Sequence, residues 1–290
     1  METIRDELIK RIEEKAKCIR RHGINMTVRA GQEGGHLGPG FSIVEIVATL
    51  YFEVMRKDPQ NPCWPDRDRF VLSKGHGVLG LYPVLAECGY FPVEVLDTFV
   101  QAKSSLSGHP CMKSTPGIEC NTGSLGHGLS IGLGMALAAK IDKKDYDTYV
   151  LIGDGEQNEG MIWEAVMAAK QYRADNLVVI VDRNQMQSDG FSKSIIDMEP
   201  LSDKWKSFGW EVKEVNGHDI GQLLDAFDRD IRPKGKPYVV IAHTTKGKGV
   251  SFFENNNAWH HASLSKEEAK AALDEIEAGL KKGDTSKCLK

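Results

Sequence analysis

At 290 residues the chain is long enough to bury a sizeable core, and one large domain with loop insertions accounts for it better than two small ones. Apolar residues at 41% and charged residues at 27% exclude the disordered and fibrous classes. A formal charge of −4, with Lys and Arg scattered along the chain, argues against nucleic acid as a partner. Residues 3 to 30 have the spacing of an amphipathic helix, with Ile4, Leu8, Ile12 and Ile19 roughly on one face. That stretch has no uninterrupted apolar core, so it is read as neither a signal peptide nor a membrane span, and a cytoplasmic location is expected.

The first helix runs into a Gly-rich loop, AGQEGGHLGPG. A second helix is expected over 42 to 56 from a Ser42 cap, then a proline-rich connection, a short strand RFVLS and a KGHG loop. Helices near 76 to 88 and 92 to 100 follow. The segment from Ala102 to Gly128 is poor in apolar residues and rich in Gly, Ser, Pro and His, and a loop of that length in a compact domain is usually functional. Beyond it come helix 128–140, strand TYVLIG, helix 159–172, strand NLVVIVD, helix 200–208, strand WEVKEVN, helix 219–230 and strand YVVIAHT.

Short apolar strands alternating with helices predict an α/β fold with a mostly parallel sheet and helices on both faces. The domain is expected over 1–280, with a frayed tail over 281–290. The six cysteines (Cys18, Cys63, Cys88, Cys111, Cys120 and Cys288) are widely spaced without a CxxC pair and are read as reduced thiols.

Ligands on such sheets sit at the carboxyl ends of the strands. The run GDGEQNEG follows one strand and Asn184 follows the next. Asp154 offers a carboxylate and Asn184 an amide oxygen, ligands that suit a hard divalent cation shared with phosphate oxygens. Gly153 and Gly155 allow a tight turn that presents N–H groups to a phosphate beside the start of a helix. Either feature alone is an ordinary turn, but the two together at neighbouring strand ends point to a cation–phosphate site.

This GDG and Asn pairing resembles the thiamine-diphosphate motif. The loops GGHLGPG, LSKGHG, SGHP, TGSLGHGLSIGLGMA and TTKGKGVSFFENNNAWHHASL resemble transketolase loops in the same order, over roughly residues 10 to 265. The resemblance implies thiamine diphosphate as cofactor, with Mg²⁺ or Ca²⁺ held by Asp154, Asn184 and the backbone carbonyl of Met186. It implies that His36, His76, His109 and His260 line the channel to the reactive carbon, with His76 and His260 also reaching the diphosphate. Imidazoles there can hydrogen-bond sugar hydroxyls and exchange protons with them. Gly123, Ser124 and Leu125 match the loop beside the cofactor, and Glu159 matches a glutamate at the interface with the pyrimidine-binding domain. His127 and His261 are further candidates, and Arg183 occupies a position that is commonly acidic.

A full transketolase adds a pyrimidine-binding and a C-terminal domain, which bring the catalytic glutamate and the arginines that grip substrate phosphate. The resemblance therefore implies an N-terminal subunit that acts on sugar phosphates with a separate C-terminal subunit, in an α2β2 heterotetramer. The helices at 42–56 and 128–140 are candidates for the partner-facing surface. Three other readings stay open: ketol transfer on an unusual branched or sulfonated ketose, the α subunit of a 2-oxoacid dehydrogenase, and a non-catalytic structural subunit.

Overall fold

Strands that are apolar at every position cannot face water on either side, so helices must cover both faces of the sheet they form. A computed structural model describes residues 3–278, and the expected frayed tail lies outside the described residues. Within them, β1 (Arg69–Leu72), β2 (Thr148–Gly153), β3 (Leu177–Arg183), β4 (Glu211–Asn216) and β5 (Tyr238–His243) form one parallel sheet in the order β1-β2-β3-β5-β4. The helices are α1 (Ile4–Ala30), α2 (Leu37–Phe41), α3 (Val44–Thr49), α4 (Val78–Glu87), α5 (His127–Ile141), α6 (Gly160–Gln171), α7 (Ser192–Ile195), α8 (Leu201–Ser207), α9 (Ile220–Phe227) and α10 (Lys266–Ala278).

Alternate residues of each strand face opposite layers. Leu151, Ile180 and Val240 pack with Ile19 of α1, Ile46 of α3, Leu85 of α4 and Leu223 of α9. Their neighbours Ile152, Val181 and Ile241 pack on the other face with Leu129 of α5, Val166 of α6 and Trp205 of α8. Each buried aliphatic side chain of this kind contributes roughly 1.5–3 kcal/mol. The expected α/β architecture is therefore the observed one, and no helix among the described residues is long and apolar enough to cross a membrane.

Several local expectations change. Ser42 does not cap a helix start: it follows α2, and its hydroxyl donates to Pro39 O (3.1 Å) and to Asp182 Oδ2 (2.7 Å). The helix expected over 92–100 is a 3₁₀ turn, Val93–Thr98, that enters from Pro92 and sends Leu96 into the core. Helix α10 was not expected. It starts from a reciprocal cap in which Ser265 Oγ accepts from Glu268 N while Glu268 receives Ser265 N–H, and it buries Ala269, Ala272 and Ile276 in the core layer shared with α1. Cys63, Cys88, Cys111 and Cys120 are free thiols, whereas Cys18 is disulfide-bonded; pairing depends on how the chain folds back, which cysteine spacing does not report. Of the two candidate partner-facing stretches, 42–56 is buried from Ser42 to Tyr51 and opens to solvent only around Phe52–Val54 and Arg56, whereas α5 keeps an exposed apolar face through Ile131 and Ile141.

Candidate active site

The register of the sheet sets the site. β2 and β3 pair Gly153 with Asp182, so Asp154 and Arg183 leave neighbouring strands side by side, with Asn184 next in line. β5 pairs Ala242 with Asp182 and carries the chain into Thr244 and Lys246, while β1 delivers Lys74 and His76. The ends of four parallel strands thus converge on a cavity of about 440 Å³.

A buried polar cluster forms the floor. Lys74 donates to Asp182 and to Pro39 O (2.9 Å). Asp182, fully buried, also accepts from Ser42 (2.7 Å), Asn184 Nδ2 (2.9 Å) and the Thr244 hydroxyl. Burial pushes its carboxyl up, but Lys74 and these donors win and hold it below the usual carboxylate range. Glu156 ties three loops together, accepting from Ser73, from Gly126 N (2.9 Å) and from Gly153 N (2.9 Å); burial raises its carboxyl.

Asp154 and Asn184 meet at the cavity wall. Asp154 Oδ2 accepts from Arg183 and from Gln185 N, both at 2.5 Å, whereas Oδ1 is buried with no partner. Burial raises this carboxyl against the pull of Arg183. Asn184 Oδ1 accepts from Met186 N (3.0 Å), which keeps the amide oxygen on the side of Met186. Among the described residues no group of three His, Cys, Asp or Glu side chains could hold a metal ion. A cation here would depend on one carboxylate oxygen, one amide oxygen, the Met186 carbonyl and oxygens brought by a ligand. An orphaned buried carboxylate oxygen beside an amide oxygen fits a hard divalent cation carried by a diphosphate.

Above this floor stands a group of histidines drawn from distant loops. A backbone bridge between Gly35 and Ala262 (3.0 and 3.1 Å) joins the first Gly-rich loop to the last one. It sets the His36 ring 5.6 Å from His260 and 4.4 Å from His261. His76 lies 5.2 Å from His36 and stacks on His260 at 5.4 Å, and His109 lies 6.0 Å from His36. Position 123 must be glycine for two reasons. Its φ is +131°, and a Cβ there would stand 2.7 Å from the His109 ring.

Burial lowers the pKa of all four imidazoles. It acts with the neighbouring His261 and His260 on His36 (to about 3), with Lys246 on His260 (to about 4), and with Lys74 on His76; for His109 burial is the cause alone. They are neutral at pH 7, each able to donate one hydrogen bond and accept another. Lys246, buried and held by Gln187 O (2.8 Å) and Asn257 Oδ1 (3.2 Å), is lowered to about 8, first by burial and then by Lys74.

Of the residues singled out in sequence, His36, His76, His109, Gly123 and Leu125 line the cavity from the loops, and Gly153, Asp154, Gly155, Glu159, Asn184, Met186 and His260 line it from the strand ends and the segments beyond them. Ser124 is exposed beside it. Neither His127, whose Nδ1 lies 3.2 Å from Leu125 O, nor His261, whose ring packs on His36, lines the cavity. Lys74, Glu156, Gln187 and Lys246 also form the wall and were not foreseen as site residues. Both lysines stand inside the quoted KGHG and TTKGKG loops, so their positions were visible while their burial was not.

Comparison with known proteins agrees with this geometry. Residues 13–282 match the family described as transketolase, thiamine diphosphate binding domain. The chain is 47% identical over 265 residues to a subunit of the apulose-4-phosphate transketolase of Actinobacillus succinogenes, covering 91% of this chain and 95% of that protein. It is 48% identical over 243 residues to the 6-deoxy-6-sulfo-D-fructose transketolase subunit SqwG of a Clostridium species, covering 84% and 88%. The transketolase structure from Leishmania mexicana superposes with a TM-score of 0.85 at 34% identity, over 92% of this chain but 41% of that one. Fold and site define a thiamine-diphosphate-type α/β domain. The chain belongs to the transketolase family, as its thiamine diphosphate-binding domain, and spans about two-fifths of the length of the full transketolase it superposes on.

Proposed function

We propose that this chain is the N-terminal subunit of a two-chain transketolase, moving a two-carbon ketol unit from a ketose to an aldose phosphate together with a C-terminal subunit that carries the pyrimidine-binding domain. The carrying observation is the cavity itself, where the unpartnered Asp154 Oδ1 and Asn184 lie beneath four neutral histidines. Bound thiamine diphosphate supplies the electron sink for the two-carbon fragment. The protein binds, orients and handles protons around it.

Asp154 Oδ1, Asn184 Oδ1 and the Met186 carbonyl would hold Mg²⁺ or Ca²⁺ with the diphosphate, and the Gly155 N–H and the rings of His76 and His260 would bind it as well; the Gly153 N–H, expected from sequence to serve the phosphate, is instead taken by Glu156. Gly123, Ser124 and Leu125 flank the cofactor. His36 and His109 hydrogen-bond the sugar hydroxyls, and a neutral imidazole can take the proton released as the C–C bond breaks and return it when the new bond forms. Glu159, exposed at the mouth, is placed to meet the partner.

The relatives are themselves named as transketolase subunits, which supports a separate partner chain, and an α2β2 assembly in the cytoplasm is the arrangement proposed here. Their named sugars, apulose 4-phosphate and 6-deoxy-6-sulfo-D-fructose, favour a donor ketose outside the common sugar phosphates. The test is ketol transfer to an aldose phosphate acceptor by the chain alone and with its partner, across xylulose 5-phosphate, a branched ketose phosphate and a sulfonated ketose. Activity confined to the pair supports the proposal, and activity of the lone chain, or of neither with any donor, overturns it.

A further inference from the structure

Arg183 holds the carboxylate proposed above as the cation ligand. Its Nη1 donates to Asp154 Oδ2 at 2.5 Å, and the same oxygen also takes the Gln185 backbone N–H. At its other end, Nη2 donates to Glu199 Oε1 at 2.5 Å, while Glu199 Oε2 accepts from Leu201 N at 2.9 Å and so caps α8. A planar guanidinium anchored at both ends fixes orientation as well as charge. One oxygen of Asp154 is thereby spent, and the other is buried without a partner in the cavity wall.

The ligand set that is left is Asp154 Oδ1, Asn184 Oδ1 and the Met186 carbonyl, and the negative charge it offers an ion is reduced because the Arg183 guanidinium, held at its far end by the more exposed Glu199, lies directly on Asp154. Nothing else on the wall supplies the deficit at that point. Asp182 is paired with Lys74, Lys246 is a cation resting on neutral oxygens, and Glu156 is bound by Ser73, Gly153 and Gly126. Glu159 lies at the exposed mouth. Hard divalent cations need negative oxygen ligands to offset the loss of their hydration. Here the diphosphate must bring most of them.

We infer that Arg183 is a positioning residue that makes divalent-cation binding conditional on the diphosphate, so that the site binds the cation–diphosphate complex and discriminates against the free ion. This rests on the proposed role of Asp154 and adds to it a reason for the basic residue at position 183. Removing the guanidinium restores the full charge of Asp154 and should favour the bare ion.

The experiment uses Mn²⁺ as a paramagnetic probe, titrated by electron spin resonance into the full chain with its partner subunit, without and with thiamine diphosphate. For the parent, Mn²⁺ binds far more tightly with the cofactor than without it. In Arg183→Met and Arg183→Gln, affinity for bare Mn²⁺ rises on the order of tenfold, because a cationic neighbour a few ångströms from the ion is gone, and the cofactor-dependent enhancement shrinks by the same factor. Arg183→Lys keeps the charge and stays near the parent. The inference is overturned if the enhancement is the same in the parent and in whichever of the two neutral variants folds, while Asp154→Asn abolishes Mn²⁺ binding. If Asp154→Asn leaves Mn²⁺ binding untouched, the cation site itself is wrong, a separate failure that removes this inference with it.

Discussion

Asp182 and Lys74 form a buried ion pair beneath the cavity, and the structure predicts that losing one member costs more than losing the other. In Asp182→Ala the Lys74 ammonium keeps only the uncharged acceptors Pro39 O and Ser42 Oγ, the Thr244 hydroxyl and the Asn184 amide lose their Asp182 acceptor, and Ser42 falls back on Pro39 O. Breaking a buried pair in this way costs about 3–5 kcal/mol. In Lys74→Met, by contrast, the Asp182 carboxylate keeps three donors, so the loss should be smaller by at least ~1 kcal/mol. With a urea slope of about 2–3 kcal/mol/M, Asp182→Ala lowers the unfolding midpoint by about 1–2.5 M. Circular dichroism during urea unfolding of the cofactor-free chain reads both variants against the parent. Equal midpoints for Asp182→Ala and the parent, or a larger loss in Lys74→Met, would refute this ordering of the floor. The same substitution frees the Asn184 amide that Asp182 orients, so cofactor affinity should fall with it.

Two further predictions follow from the histidines. His109→Ala removes a ring that touches neither Asp154 nor Asn184, so thiamine diphosphate should bind nearly as in the parent while kcat falls about 10²-fold, the scale of a lost proton-handling group; stopped-time product assays and cofactor titration of the same samples check it, and an unchanged kcat would take His109 out of the reaction. The pKa of His36 and of His260 is depressed, to about 3 and about 4, below the ordinary value near 6.5. The unfolded chain therefore binds more protons than the native one, and stability present above about pH 6.5 is lost as pH falls toward 4. Thermal scans from pH 7.5 to 4.5 should show His36→Asn and His260→Asn with a shallower fall in Tm than the parent, and parallel curves would contradict the buried neutral state.

The strands were legible because β2, β3 and β5 are buried on both faces and read as unbroken apolar runs such as LVVIV. Helices α5 and α6 were legible within a residue or two of their ends. Helix α10 was missed although Ser265 and Glu268 spell a capping box ahead of Ala269, Ala272 and Ile276. Ser42 was misread because a serine before an apolar run looks like a cap, and only tertiary folding reveals that its hydroxyl serves Asp182 across 140 positions of sequence. The site shows the same division. Glycine-framed histidines stand out locally, whereas the burial of Lys74 and Lys246, the grip of Arg183 on Asp154, and the different surroundings of His260 and His261 arise from strand ends and loops that meet only in the fold.

The central claim is that the strand-end cavity holds the diphosphate through a cation on Asp154, and calorimetric titration of thiamine diphosphate with Mg²⁺ into the chain and its partner tests it most directly. Asp154→Ala should weaken binding by at least about 100-fold, because the only carboxylate in the ligand set is lost, with the circular dichroism spectrum unchanged. Parent-like affinity in the folded variant would contradict the account.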